Sequence, residues 1–425
     1  MSTLLKQVLK HQVYPAMGCT EPVAVALCAA NAAALHKGEI KKAVVWVDSA
    51  TFKNGLGVRI PNTEGERGNL LAAALGLLIA KPKLGMEILK GATPALLKEA
   101  KFLLEQKAVT IKVKKRKDFY IEVNLLYKDG YKAKAVVSGG HTSLNYLEDN
   151  GKILIDKKPE LEDKGDFKKV LARSSLADLI REAQNADKED LAYIKKGALM
   201  NMRAAKEGAK LKKVGFYLSD LVDKKMLDNN LINSTKILAS RAADARMDGI
   251  AIPVMSSGES GNQGIVAVLV PYYVGKYLKV KEKTILQSIA LSHLLNGYVK
   301  AFTGDLAPIC GCAIAAGVGA SAAIVYQQKG ADLKAITLAI NNIISDIGGM
   351  LCDGAKSGCA LKVVSSVDSA LRAAFMGINH YGITEVEGFI GESAEKTIQN
   401  LSRISTVGMV KVDNTIVDIM KKKNK

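Results

Sequence analysis

Apolar residues recur along this chain at two spacings, and the change between them divides it. The first 38 or so residues predict two helices broken across Pro15–Pro22, the second being the Ala-rich run Val23–His36 that stops at Gly38. From about residue 40 the spacing shortens. Ala43–Phe52, Val109–Val113, Phe119–Leu126 and Tyr131–Val137 are rich in Val, Ile and Tyr and partly alternate, which predicts strands, and Lys128-Asp129-Gly130 predicts a hairpin turn between the last two. Helices are expected between them at Gly68–Ile79 and Pro94–Gln106. After about 165 the strand signal fades, and 3.6-residue spacing predicts helices over Asp166–Glu182, Lys188–Lys206, Val222–Met247, Val280–Val299, Ala313–Gln327, Leu333–Ile347 and Ala360–Met376. The fold class expected is α+β. A mostly helical domain would take residues 1–39 and 166–425, with 40–165 inserted as an α/β domain.

Composition narrows the function classes. With 425 residues, 48% of them hydrophobic, the chain has material for large cores. No window reaches the roughly 18 charge-free apolar residues of a membrane span, so no membrane partner is expected. Its nearest approach, Ala313–Tyr326, is full of Ala and Gly and reads as a buried helix. The formal charge of +18 comes mostly from short lysine runs, as at Lys112–Lys117, Lys195-Lys196 and Lys421–Lys423, and aromatic residues are only 5% of the chain. A nucleic-acid binder would pair a basic face with stacking aromatics, so no nucleic-acid partner is expected, and the field suits a solvated surface or a small anionic substrate. Six cysteines in a long chain without a signal-peptide pattern predict a reducing, cytoplasmic setting. The large apolar helices are compatible with a homodimer.

The cysteines carry the strongest chemical signal. Five of the six lie in Gly-rich segments beside helix-start signals: Gly18-Cys19-Thr20-Glu21-Pro22, Cys310-Gly311-Cys312, and Cys352 and Cys359 around Asp353-Gly354-Ala355-Lys356-Ser357-Gly358. Helix-start amides favour negative charge, and thiolates gathered there suit an iron-sulfur cluster. Zinc sites use paired C-x-x-C units, often with histidine, and neither pattern occurs. The plainer alternative is that these are small buried side chains in tight Gly/Ala packing, which is the reading for Cys28 within its Ala-rich helix. Threonine and proline after Cys19 place it at a helix N-terminus, where free amides lower a thiol's pKa and fit it to act as ligand or base.

Two further Gly-rich segments offer amides to a small anion. In Ser256–Gly264 the residue singled out is Asn262; in Ser138-Gly139-Gly140-His141-Thr142 they are Ser138, Gly140, His141 and Thr142. Lys356 is a further candidate for a substrate carboxylate. His141 is the candidate among five histidines, while His11, His36, His293 and His380 are expected to be ordinary core or surface residues.

Taken together, Gly-Cys-Thr-Glu-Pro at 18–22, Gly-Asn-Gln-Gly at 261–264, Cys-Gly-Cys-Ala-Ile-Ala-Ala-Gly at 310–317 and Gly-Met-Leu-Cys-Asp-Gly-Ala-Lys-Ser-Gly-Cys-Ala at 349–360 resemble the L-cysteine desulfidase family, relatives of the alpha domain of iron-sulfur L-serine dehydratases. The resemblance spans essentially the whole chain. It implies an oxygen-sensitive 4Fe-4S enzyme that converts L-cysteine to pyruvate, ammonia and sulfide without pyridoxal phosphate, with Cys312, Cys352 and Cys359 as cluster ligands and Cys19 as catalytic base. The Cys352-Asp353 pair is similar to the Thr-Cys-Asp of the serine dehydratases, but the next cysteine follows more closely here, which leaves Cys19 or Cys310 as a substitute third ligand. L-serine dehydratase is the nearest alternative. A pyridoxal phosphate lyase, a non-enzymatic iron-sulfur sensor and a metal-free helical binding module are the others. No lysine stands out as a Schiff-base residue and no DNA-reading element is evident.

Overall fold

The computed structural model describes residues 3–116, 118–157, 164–304 and 307–423. Met1, Ser2, Lys117 at the end of its basic run and 158–163 beside the expected domain boundary lie outside the described residues. The helices are α1 (Leu4–Gln12), α2 (Thr20–Ala33), α3 (Ser49–Leu56), α4 (Asn69–Ile79), α5 (Pro94–Glu105), α6 (Lys164–Arg173), α7 (Leu176–Gln184), α8 (Lys188–Gly208) and α9 (Val214–Asp223). They continue with α10 (Leu231–Met247), α11 (Gly261–Gly264), α12 (Val270–Tyr277), α13 (Glu282–Thr303), α14 (Ala315–Lys329), α15 (Leu333–Ile347), α16 (Cys359–Ile378), α17 (Ala394–Arg403) and α18 (Val412–Lys423). The strands are β1 (Pro15–Ala16), β2 (Ile40–Asp48), β3 (Val109–Lys114), β4 (Tyr120–Tyr127), β5 (Lys132–Ser138), β6 (Leu144–Asp149), β7 (Lys152–Asp156) and β8 (Val254–Met255).

This is an α+β fold of mostly helical character. Its six-stranded sheet has the order β3-β2-β4-β5-β6-β7, parallel only between β2 and β3, and β1 pairs antiparallel with β8. The expected hairpin joins β4 to β5 through Gly130, whose φ of 91° suits a residue without Cβ. The strands β6 and β7 were not anticipated. Their signal is Asn150-Gly151, both at positive φ, the dipeptide that two-residue hairpins favour.

Side-chain caps set several boundaries differently from periodicity. The strand expected through Phe52 ends at Asp48, whose carboxylate accepts the amides of Ala50 and Thr51 and so starts α3. The helix expected over Asp166–Glu182 is two helices, because Ser175 and Asp178 form a capping box that opens α7. Likewise Val222–Met247 divides at Asn230, which caps α10.

Two main hydrophobic cores result. The first joins α1 to the helices of the C-terminal half around α14, where Ala315–Gln327 are all buried, as expected of a helix apolar on every side. The second lies between the sheet and α2, α4 and α5. The sequence reading put both N-terminal helices with the C-terminal half; α1 packs in the first core and α2 in the second. The small side chains of α2 let it lie flat on Ile121, Val123, Ala133 and Ala135, and let α4 cross it so closely that a Cβ at Gly76 would fall 2.1 Å from Ala26 O. Cys28 is buried in this core, as read.

Candidate functional site

The start of α2 meets the C-terminal helices in a chamber lined by Cys19, Glu21, Gly140, His141, Arg246, Asn262, Cys310, Cys312, Cys352 and Cys359, among others. Segments far apart in sequence are brought there by short backbone pairings. Cys310 N–H donates to Met350 O at 2.8 Å and Cys352 N–H to Pro308 O at 2.7 Å, an antiparallel bridge that fastens the two cysteine loops together. Cys359 is the first residue of α16, and Cys19 is the residue before α2, following Gly18 at a φ of 65°.

Cys310 Sγ lies 3.3 Å from Cys312 Sγ. The hydrogen bond shared by Cys310 and Cys352, reinforced by burial, raises the Cys352 pKa well above the ordinary thiol range, and burial raises that of Cys359. Among the described residues no three His, Cys, Asp or Glu side chains are grouped to hold a single metal ion. A cluster makes a different demand, since its ligands bind separate irons. Several thiols sharing one chamber fit that donor chemistry, and bound iron would favour the thiolate form that their surroundings disfavour at Cys352 and Cys359.

Cys19 departs from the sequence reading. Burial first, and then the negative charge of Glu21, push its thiol up, against a smaller opposing pull from Arg246. It is the N-cap residue but makes no side-chain cap hydrogen bond. Its Sγ instead donates to Glu21 Oε2 at 2.8 Å, and Asn54 Nδ2 donates to Glu21 Oε1 at 2.9 Å. Burial works to raise the Glu21 carboxyl, but attraction to His141 and these hydrogen bonds outweigh it and hold the group below its usual value. The pair is a thiol leaning on a carboxylate.

The other candidates divide. Gly140, His141 and Asn262 line the chamber. The His141 ring packs on Phe119 with centroids 4.6 Å apart, and among the described residues neither its buried Nε2 nor the Asn262 Oδ1 has a hydrogen-bond partner. Ser138, Thr142 and Lys356 do not line it. The Ser138 hydroxyl donates to Asn145 Oδ1 at 3.0 Å, Thr142 is exposed on the turn, and Lys356 pairs with Asp353. Lys362 pairs with Asp353 too, and although burial works to raise this carboxyl, the two lysines bring it down to about 2.

Sequence reasoning passed over Glu21, Lys53, Asn54, Arg246 and Gln263. The available signal for Arg246 was a charged residue in the small-residue run Ala242–Met247 of a helix. Lys53 is 2% exposed, and its Nζ donates to Cys352 O at 3.0 Å and to Asp413 Oδ1 of α18 at 2.6 Å. His293 is a core residue as expected, but its Nδ1 lies 2.8 Å from Ser257 Oγ in the Gly-rich segment bordering the chamber. Among the described residues all six cysteines are free, and no helix is long and apolar enough to cross a membrane.

Known proteins are similar to this chain along its whole length. It is 66% identical to the UPF0597 protein of Elusimicrobium minutum, covering 99% of this chain and 100% of that one. It is 53% identical to a UPF0597 protein of Geobacter sulfurreducens, with 99% of each chain covered, and 40% identical to one of Clostridium tetani, with 98% of each covered. No solved structure matches. Residues 83–418, which include Arg246, Asn262 and the four clustered cysteines, match a family described as serine dehydratase alpha chain. The chain therefore belongs to the serine dehydratase alpha chain family.

Proposed function

We propose that this protein is an iron-sulfur-dependent L-cysteine desulfidase, a carbon-sulfur lyase that converts L-cysteine and water to pyruvate, ammonia and hydrogen sulfide. The observation that carries the reading is that Cys19 shares one buried chamber with Cys312, Cys352 and Cys359, residues from three distant segments. Those last three would hold a 4Fe-4S cluster, which when bound would supply an open, soft Lewis-acid position for the departing sulfur. Cys310 is the remaining thiol beside them.

The chain's own residues divide the rest of the work. Glu21 Oε2 accepts the Cys19 S–H and fixes the position of that sulfur, and Cys19, once it has given up the proton that burial and Glu21 hold on it, serves as the general base for the substrate Cα proton. His141 and Asn262 present buried polar atoms without partners, the property required of groups that await a ligand. Phe119, Val299, Ile309 and Ile314 give the chamber apolar walls beside them. The enamine product needs no further residue to become pyruvate and ammonia.

The family match favours a second reading, L-serine dehydratase, in which hydroxide leaves instead of sulfide. Anaerobically reconstituted protein is assayed for sulfide from L-cysteine and for pyruvate from L-serine. A kcat/KM at least tenfold higher for cysteine upholds the proposal, the reverse ratio upholds the second reading, and turnover of neither on iron-loaded protein rejects both.

A further inference from the structure

Arginine is seldom buried without an anion beside it, because a charge taken out of water needs a partner to offset its lost hydration. Arg246, in the last turn of α10, is 4% exposed. Its Nε is sealed from solvent with no hydrogen-bond partner, and among the described residues no carboxylate pairs with it. The neighbouring acidic residue, Asp248, pairs instead with Arg59 and Lys213. Other chamber cations are engaged: Lys53 by Asp413, Lys362 by Asp353, and Lys300 by Gly258 O.

The fold holds Arg246 in place deliberately. A Cβ at Gly261 would fall 2.3 Å from Arg246 Nε and 2.9 Å from its Cδ, so the guanidinium stem occupies the space that this glycine leaves. Next to Gly261 stands Asn262, whose Oδ1 lacks a partner, and then Gln263, whose Oε1 lacks one as well. All three side chains line the chamber that contains Cys19. A planar five-donor cation beside carbonyl acceptors is complementary to a carboxylate with an adjacent ammonium group.

We infer that Arg246 is the anchor for the α-carboxylate of an amino acid substrate, with Asn262 facing its ammonium group, and that Gly261 is the glycine that makes room for the anchor. This rests on the proposed amino acid lyase reading and adds the residue that holds the substrate's carboxylate. Arg246 is a binding residue in this scheme and takes no part in proton transfer.

The test uses full-length, anaerobically reconstituted protein and L-alanine, which has the carboxylate and ammonium of the substrate but no leaving group. L-Alaninamide, which lacks the carboxylate charge, is the control. Binding is followed by thermal shift and calorimetry. L-Alanine is expected to raise the wild-type Tm and L-alaninamide to leave it unchanged. Arg246→Gln is expected to melt no lower than wild type without ligand, because it removes an unpaired buried charge, and to weaken L-alanine binding roughly tenfold to a hundredfold. Arg246→Lys keeps a point charge and recovers part of the binding. Gly261→Ala, which displaces the guanidinium without removing it, weakens binding while iron content stays at the wild-type level.

An Arg246→Gln protein that binds L-alanine as tightly as wild type overturns the inference. So does one that melts well below wild type and is restored by no ligand, since Arg246 would then be a structural residue. Wild type that ignores L-alanine but is stabilised by lactate through Arg246 keeps the carboxylate anchor and rejects the amino acid reading. A wild type that responds to neither rejects the anchor.

Discussion

Cys19 Sγ donates a hydrogen bond to Glu21 Oε2 across 2.8 Å, so the residue at the start of α2 leans on a carboxylate two positions along the chain and not on the helix-start amides. The arrangement separates two jobs that a cysteine in this chamber can have. If Cys19 is a base, Cys19→Ala retains iron and visible absorption and loses turnover, and Glu21→Gln does the same with a loss of about 10²–10⁴-fold. Bleaching of either variant on anaerobic purification would make Cys19 a ligand instead.

Iron content sorts the other four sulfurs. Cys312→Ala, Cys352→Ala and Cys359→Ala are expected to lose iron and acid-labile sulfide. Cys310→Ser is expected to keep both, although its sulfur lies only 3.3 Å from that of Cys312. Iron loss in Cys310→Ser with retention in Cys359→Ser would exchange their roles.

Lys53 ties α18 to the cysteine loop. Its ammonium joins Asp413 to the carbonyl of Cys352 from a site that is 2% exposed. Lys53→Met removes hydrogen bonds to a charged group, with an expected cost of about 1–3 kcal/mol. The C-terminal helix should then be cut faster in limited proteolysis, while unchanged cleavage there would show that Val417 of α18, buried in the second core, suffices to hold it.

His293 gives the fold an acid limit. Burial pushes its pKa down from 6.5 to about 3, so the unfolded chain binds this proton more readily than the folded one. Its contribution to stability is therefore complete above the unfolded value and is lost as the pH falls from about 6.5 toward 3. The loss is on the order of 3–5 kcal/mol over that range. Urea midpoints measured from pH 7.5 to 4.5 should fall in wild type and fall less in His293→Gln.

The crossing of α2 and α4 depends on an absent methyl group. With Ala26 O 2.1 Å from where a Cβ would stand, Gly76→Ala must push the helices apart, at an expected cost of about 1–3 kcal/mol. Chemical denaturation reads this directly, and a stability within 0.5 kcal/mol of wild type, roughly the noise of a neutral surface change, would count against so close a crossing.

The elements that were legible from sequence are those whose pattern is local. The helix Leu333–Ile347 and the hairpin at Lys128-Asp129-Gly130 follow from apolar spacing and a turn tripeptide. The ends of β2, α6 and α9 were misread because side chains such as Asp48, Ser175 and Asn230 compete for backbone amides, and apolar periodicity does not register a cap. At the site, Gly140, His141, Asn262 and the chamber cysteines sit in or beside glycine-rich segments whose composition advertises exposed backbone amides. Ser138 stands at the end of β5 beside the same glycines and was nevertheless turned away, because Asn145 on β6, an unanticipated strand, takes its hydroxyl.

By itself the amino-acid sequence determined the α+β class, most of the helices and the set of thiols. Only the tertiary structure decided which core α2 joins, that Cys19 pairs with Glu21, and that Arg246 is enclosed without a counter-charge among the described residues. The reason is physical. Helix and turn preferences depend on neighbours a few residues away, whereas burial and the charge that a buried group meets depend on chain segments that become neighbours only through folding.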